Sequence, residues 1–209
     1  MQALEVLALG PVLPVVTLDD PACAVPLGLA LLEGGIRAIE VTLRTPAALA
    51  AVTALRSGVP GLCVGVGTLL DAGALRAAVD AGAEFGVSPG LTPALADAIA
   101  DSGLPCVPGV MTPGEVMAAR DLGFTALKFF PAVPAGGAAV LAAWAPVFQD
   151  VVFCPTGGIG PLNAGEFLKL RNVRCVGGSW LTPPALMAAR DWAGIARLAQ
   201  AAAKLRAGA

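Results

Sequence analysis

The chain has 209 residues, 56% of them hydrophobic and 13% charged, with a formal net charge of −2. That length predicts one domain, residues 1–209, with a sizeable core; near-neutrality without a basic run argues against nucleic acid or an anionic membrane as a partner. There is no histidine and no tyrosine, which excludes Cys-His zinc sites, Ser-His-Asp triads and imidazole catalysis, and leaves acid-base work to a carboxylate, a lysine, a cysteine or water.

Gln2 to Leu9 reads as a short N-terminal helix ended by Gly10-Pro11. Val12 to Leu18 is an apolar run of strand length, and Asp19-Asp20-Pro21 starts a helix that Gly34-Gly35 stops. Ala38 to Leu43 is the second strand, with Thr45-Pro46 opening a helix to Ser57. Cys63–Leu69, Phe85–Ser88, Pro105–Val110, Ala126–Phe130, Val151–Cys154 and Val173–Val176 continue the strands. Between them the spacing predicts helices over 71–81, 92–102, 112–122, 137–144 and 161–170, a short extra one at Thr182-Pro183-Pro184, and a closing helix over 190–206. The strands are apolar throughout rather than alternating, as parallel strands covered on both faces are. Eight such units predict an α/β fold of the (β/α)8 barrel type; a doubly wound sheet is the alternative, because periodicity does not show closure. No strand is followed by GxGxxG or GxxxxGK[ST], so dinucleotide and P-loop readings lack their motifs.

The longest uncharged window, Phe129 to Gln149, carries Pro131, Pro134, Pro146 and Gly136-Gly137, which break a lipid-exposed helix. Glu5 and the lack of a basic leader argue against a signal peptide. A soluble, cytoplasmic protein is expected. Its five cysteines form no CxxC and mostly sit in apolar runs, which predicts buried, reduced thiols.

In a barrel, functional groups gather at the C-terminal ends of strands. The sixth of these strands holds Lys128, one of three lysines; Lys169 and Lys204 lie in helical segments and read as solvated. An ammonium in an apolar run is costly unless it is paired or loses its proton. A lysine so placed is an amine nucleophile toward carbonyls, and the plainer alternative is a side chain snorkelling to water. Glu40, Thr42 and Arg44 are spaced by two and share one face, with Glu40 deeper and Arg44 at the rim. A buried Glu-Arg pair would also explain that face. Gly65-Val66-Gly67-Thr68 leaves room beside the axis and a hydroxyl at the rim. Gly157-Gly158 and Gly177-Gly178-Ser179 follow the last two strands and suit a phosphate cradle of backbone N–H groups; either pair alone is explained by a tight turn. An amine, a carboxylate and a phosphate cradle together point to a phosphorylated carbonyl substrate and Schiff-base chemistry.

The stretches Glu40–Thr45, Gly65–Thr68, Ser88–Gly90, Lys128–Pro131, Cys154–Ile159 and Gly177–Trp180 strongly resemble the 2-keto-3-deoxy-6-phosphogluconate aldolase family, in order over most of the chain. The resemblance implies a class I aldolase that yields pyruvate and glyceraldehyde 3-phosphate, with 4-hydroxy-2-oxoglutarate as a substrate of some members. It implies Lys128 as the Schiff-base lysine and Glu40 as the proton carrier. Arg44, Thr68 and Thr156 would hold the pyruvyl carboxylate, and Gly157, Gly158, Gly178 and Ser179 the phosphate. It further implies a homotrimer that uses no metal and no cofactor. Two places depart from the family pattern: Gly160 stands where serine is usual, and Pro134-Ala135 where Ala-Asn is usual. The galactonate-derived isomer is an alternative substrate, and a cofactor-free phosphosugar isomerase or a non-catalytic binding barrel are alternative readings.

Overall fold

The computed structural model of the chain describes residues 2–205. Its strands are β1 (Val12–Val16), β2 (Ala38–Thr42), β3 (Cys63–Gly67), β4 (Phe85–Val87), β5 (Cys106–Val107), β6 (Gly109–Val110), β7 (Ala126–Phe129), β8 (Val152–Pro155) and β9 (Val176–Gly178). Its helices are α1 (Ala3–Leu7), α2 (Ala24–Glu33), α3 (Ala48–Gly58), α4 (Ala72–Asp80), α5 (Pro93–Ser102), α6 (Pro113–Asp121), α7 (Gly137–Trp144), α8 (Ala164–Leu168), α9 (Pro184–Ala189) and α10 (Trp192–Ala203).

This is the parallel α/β class that the apolar strands predict. The order β5-β4-β3-β2-β1-β9 forms a six-stranded sheet, and β6-β7-β8 a three-stranded one. Every pairing in both is parallel. Two parallel bridges, Phe153 with Val173 and Thr156 with Gly177, lie between β8 and the β9 segment. At the other margin only Pro108 separates β5 from β6. Proline has no N–H to give a ladder, so the expected strand Pro105–Val110 appears as two short pieces. Pro108 still serves as an acceptor, taking the Lys128 N–H at 2.8 Å.

Local chemistry explains most helix starts. Asp71, Thr92 and Thr112 each accept from an N–H three residues on, and Glu115 completes a capping box with Thr112. Thr45 behaves differently: its hydroxyl donates to the Leu18 carbonyl, and α3 begins only at Ala48. The last expected strand is displaced from Val173–Val176 to Val176–Gly178, because β1 pairs with Val176, Gly177 and Gly178. Two glycines that read as a loop are therefore strand residues. The helix expected over 161–170 is helical only from Ala164 to Leu168. The closing helix starts at Trp192 rather than 190, and its expected end at Arg206 lies outside the described residues. Among the described residues no helix is long and apolar enough to cross a membrane.

Two hydrophobic clusters lie on opposite faces of the strands. Ile39 and Val41 of β2, and Leu127 and Phe129 of β7, join helix residues such as Leu27, Leu55 and Leu141 in the larger one. Ala38 and Ala126 belong to the smaller one, with Leu13, Phe85 and Cys154, and Val6 and Leu7 of α1 close its end. Trp144 braces β7 from the helix side, its ring 5.3 Å from Phe129 and 5.7 Å from Phe153. Side chains alternate along a strand, so Glu40 and Lys128 continue the face of Ala38 and Ala126. Both point away from the helices.

Candidate active site

Lys128 Nζ lies 3.4 Å from Glu40 Oε1, across 88 positions of sequence. The two side chains are 7% and 2% exposed. That rules out the snorkelling alternative, since the lysine charge is met inside the protein and not by water. It also replaces the Glu40–Arg44 pair: Glu40 takes Lys128, and Arg44 is exposed at the rim. The Phe130 ring centroid is 5.1 Å from Nζ, within cation-π range. Lys169 and Lys204 are exposed.

Glu40 owes its position to its neighbours. Register aligns it with Val15 on one side and Gly65 on the other. A Cβ on Gly67 would land on the Glu40 carboxylate, and one on Gly65 would land on the Phe85 ring. Gly67 thus makes the seat of the Glu40 carboxylate, and Gly65 makes room for the Phe85 ring. Thr42, one step further along the same face, is fully buried and shares a 2.8 Å hydroxyl contact with Thr17. Gly67→Ala is expected to lower stability by about 1–3 kcal/mol, seen as a lower denaturant midpoint at unchanged slope. An unchanged midpoint would show that the carboxylate moves aside freely.

Above the pair opens a cavity of about 760 Å³. Arg44, Thr156, Gly157, Gly158, Gly178 and Ser179 all line it, as does Phe130. Phe130 follows Lys128 by two positions and Thr156 follows Cys154, the register partner of Lys128. The ion pair therefore lies one layer beneath the cavity floor. Thr68 follows Gly67 at the end of β3, half-buried and with φ 63, a left-handed value costly for a β-branched residue.

Both glycine loops are shaped by close approach. Gly157 and Gly158 have φ 105 and 77, and a Cβ on Gly157 would meet Pro131 at 3.2 Å. On Gly177 a Cβ would land on the Thr156 hydroxyl, and on Gly178 on the Trp180 ring. Among the described residues the N–H groups of Gly158 and Ser179 donate to no protein acceptor, so this end of the cavity presents free donors to an anion.

Two buried thiols adjoin the site. Cys175 lies 3.5 Å from Cys154, sulfur to sulfur, and both are free. The Cys154 sulfur beside it and burial hold the Cys175 thiol well above its usual range, and the Glu40 charge adds to this. Burial likewise pushes Cys63 and Cys106 up to about 12. All five cysteines are buried, as their apolar surroundings predict. Among the described residues no group of three or more His, Cys, Asp or Glu side chains is arranged to hold a metal ion.

The model of a protein family described as KDPG and KHG aldolase matches residues 4–198. This chain belongs to that family. Its likeness to one KDPG aldolase, the 2-dehydro-3-deoxy-phosphogluconate aldolase of Pseudoalteromonas atlantica, is 46% identity over 198 residues, 95% of this chain and 92% of that one. The crystal structure of a Legionella pneumophila KDPG aldolase, with pyruvate captured as a covalent carbinolamine intermediate, superposes with a TM-score of 0.95 at 42% identity, covering 98% and 99% of the two chains. A Zymomonas mobilis KDPG aldolase with 3-phosphoglycerate superposes with a TM-score of 0.94 at 44% identity, covering 99% and 98%.

Asp20 and Arg190, an ion pair on the wall of the same cavity, escaped the sequence reading. Their 170-residue separation leaves no local signal.

Proposed function

We propose that this KDPG-family chain is a class I aldolase that cleaves 2-keto-3-deoxy-6-phosphogluconate to pyruvate and glyceraldehyde 3-phosphate, and 4-hydroxy-2-oxoglutarate to pyruvate and glyoxylate. The buried 3.4 Å contact between Lys128 and Glu40 carries this reading. An amine and a carboxylate from two strands, beneath a cavity ending in free N–H donors, match a substrate with a ketone at one end and a phosphate at the other. The relatives support it: one neighbour holds pyruvate as a carbinolamine, another a phosphorylated three-carbon acid.

In this mechanism Lys128 passes a proton to Glu40, its amine adds to the C2 carbonyl, and a proton moves from the nitrogen to the oxygen to give a carbinolamine. Glu40 delivers a proton to that hydroxyl, water leaves, and the nitrogen becomes an iminium. A base, the Glu40 carboxylate or a water it orients, removes the C4 hydroxyl proton. The C3–C4 electrons move into the iminium, and the aldehyde departs from an enamine. Protonation at C3 and addition of water to the resulting iminium release pyruvate and restore the amine. Arg44, with Thr68 and Thr156, orients the substrate carboxylate, the planar guanidinium pairing with both oxygens. Gly157, Gly158, Gly178 and Ser179 receive the phosphate.

The proposal extends to architecture. The bridges between β8 and the β9 segment, and the single proline between β5 and β6, support one closed (β/α)8 barrel. Closure sets Glu40 and Lys128 face to face across its interior. On the resemblance, the enzyme is a cytoplasmic homotrimer that needs neither metal nor cofactor.

Borohydride reduction in the presence of pyruvate tests the central step. The expected product carries one reduced pyruvyl group, and peptide mapping places it on Lys128. Labelling at Lys169 or Lys204, or no adduct at all, would refute the assignment.

A further inference from the structure

Arg190 stands where local preference puts a glycine. It ends α9 as a left-handed cap, with φ 52 and ψ 36, and its N–H bonds back to the Leu186 and Met187 carbonyls. A side chain raises the cost of that conformation, so an arginine here calls for an explanation beyond the turn. Its Nη2 lies 3.2 Å from Asp20 Oδ2. The two side chains are 63% and 50% exposed, and exposed pairs of this kind add little to stability.

The cavity supplies the explanation. Arg190 and Arg44 are the cationic side chains on its wall, and Asp19 and Asp20 the acidic ones. Asp20 is a fixed post: Oδ1 accepts the Ala22 N–H at 3.0 Å, and Oδ2 the Cys23 thiol at 3.6 Å. The Asp20 carboxylate is the charged group that holds Arg190. A doubly charged phosphate accepts two parallel guanidinium bonds and competes well for it.

We propose that Arg190 is a specificity-determining residue, its guanidinium leaving Asp20 to close over the substrate phosphate held on the Gly157-Gly158 and Gly178-Ser179 loops. This rests on the reading above that those loops receive the phosphate. Asp20 parks the cation on the cavity wall and opposes anions that Arg190 does not cover.

The test compares kcat/KM for the phosphorylated keto acid with that for unphosphorylated 4-hydroxy-2-oxoglutarate. Arg190→Gly keeps the left-handed turn while removing the cation. Its KM for the phosphorylated substrate is expected to rise about tenfold, and the preference ratio to fall about tenfold. Asp20→Asn is expected to move the ratio the other way, about threefold. A role limited to tying α9 in place would lower the melting temperature and leave the ratio alone. Ser179→Asp puts a carboxylate on the cradle itself. A ratio that falls in Ser179→Asp but stays within twofold of wild type in Arg190→Gly overturns the Arg190 proposal and leaves the cradle standing. A ratio unmoved in both variants overturns the phosphate reading as well.

Discussion

Lys128→Arg forms no borohydride-stable adduct with pyruvate and loses cleavage activity by on the order of 10⁴-fold or more, the scale on which removal of a covalent nucleophile falls. Guanidinium keeps the positive charge but does not lose its proton in proteins, so it cannot form the imine. The substitution is informative because Glu40 keeps a charged partner at this site. Truncation to alanine would instead leave a carboxylate unpaired where its side chain is only 2% exposed, at a cost of about 3–5 kcal/mol, and would confuse misfolding with lost chemistry. A coupled assay for pyruvate reads the activity, and the melting temperature confirms the fold. Retention of a few per cent of wild-type turnover would show that Lys128 serves as a charge and not through an imine, whereas phosphate-ligand binding without pyruvate release by the wild-type chain would favour a non-catalytic binding barrel.

Glu40→Gln is expected to lower kcat by about 10²–10⁴-fold, the range for loss of a positioned acid-base group. Glutamine preserves shape and fits against Gly67, where even one added methyl would meet the side chain. What it removes is the proton carrier beside Lys128 Nζ. The distinguishing signal is exchange of the pyruvate methyl protons with deuterated solvent, which requires imine formation and proton transfer at C3 but no C–C cleavage. Exchange and cleavage should slow together. Slower cleavage with unchanged exchange would remove Glu40 from the proton step at C3. Circular dichroism and the melting temperature establish that the variant is folded, since an unpaired Lys128 also weakens the site.

Much of the site was legible because its residues break local rules. A lysine in Ala126–Phe130 and a glutamate in Ala38–Leu43 are conspicuous among apolar neighbours, and both are buried. Gly65 and Gly67 read as room beside an axis, and the structure uses that room for the Phe85 ring at Gly65 and the Glu40 carboxylate at Gly67. Other features had no such mark. Gly177 and Gly178 look like a turn, yet they are strand because β1 offers them a ladder. Pro108 was the exception: its missing N–H is a local mark, and it divides the expected strand into β5 and β6. Asp20 and Arg190 are ordinary surface residues until the fold brings them to one cavity.

The sequence by itself determined the alternation of parallel strands and helices, because apolar runs of strand length, glycine stops and Thr- or Asp-capped starts are local signals. Absence of histidine and tyrosine likewise confined acid-base chemistry to a few residue types. Tertiary structure decided which way Lys128 points and what it meets. Alternation allows either face; the choice follows from Leu127 and Phe129 filling the helix-side core, with Trp144 against Phe129. The 3.4 Å approach of Glu40 then depends on two strands set 88 positions apart, a distance over which no periodicity carries information.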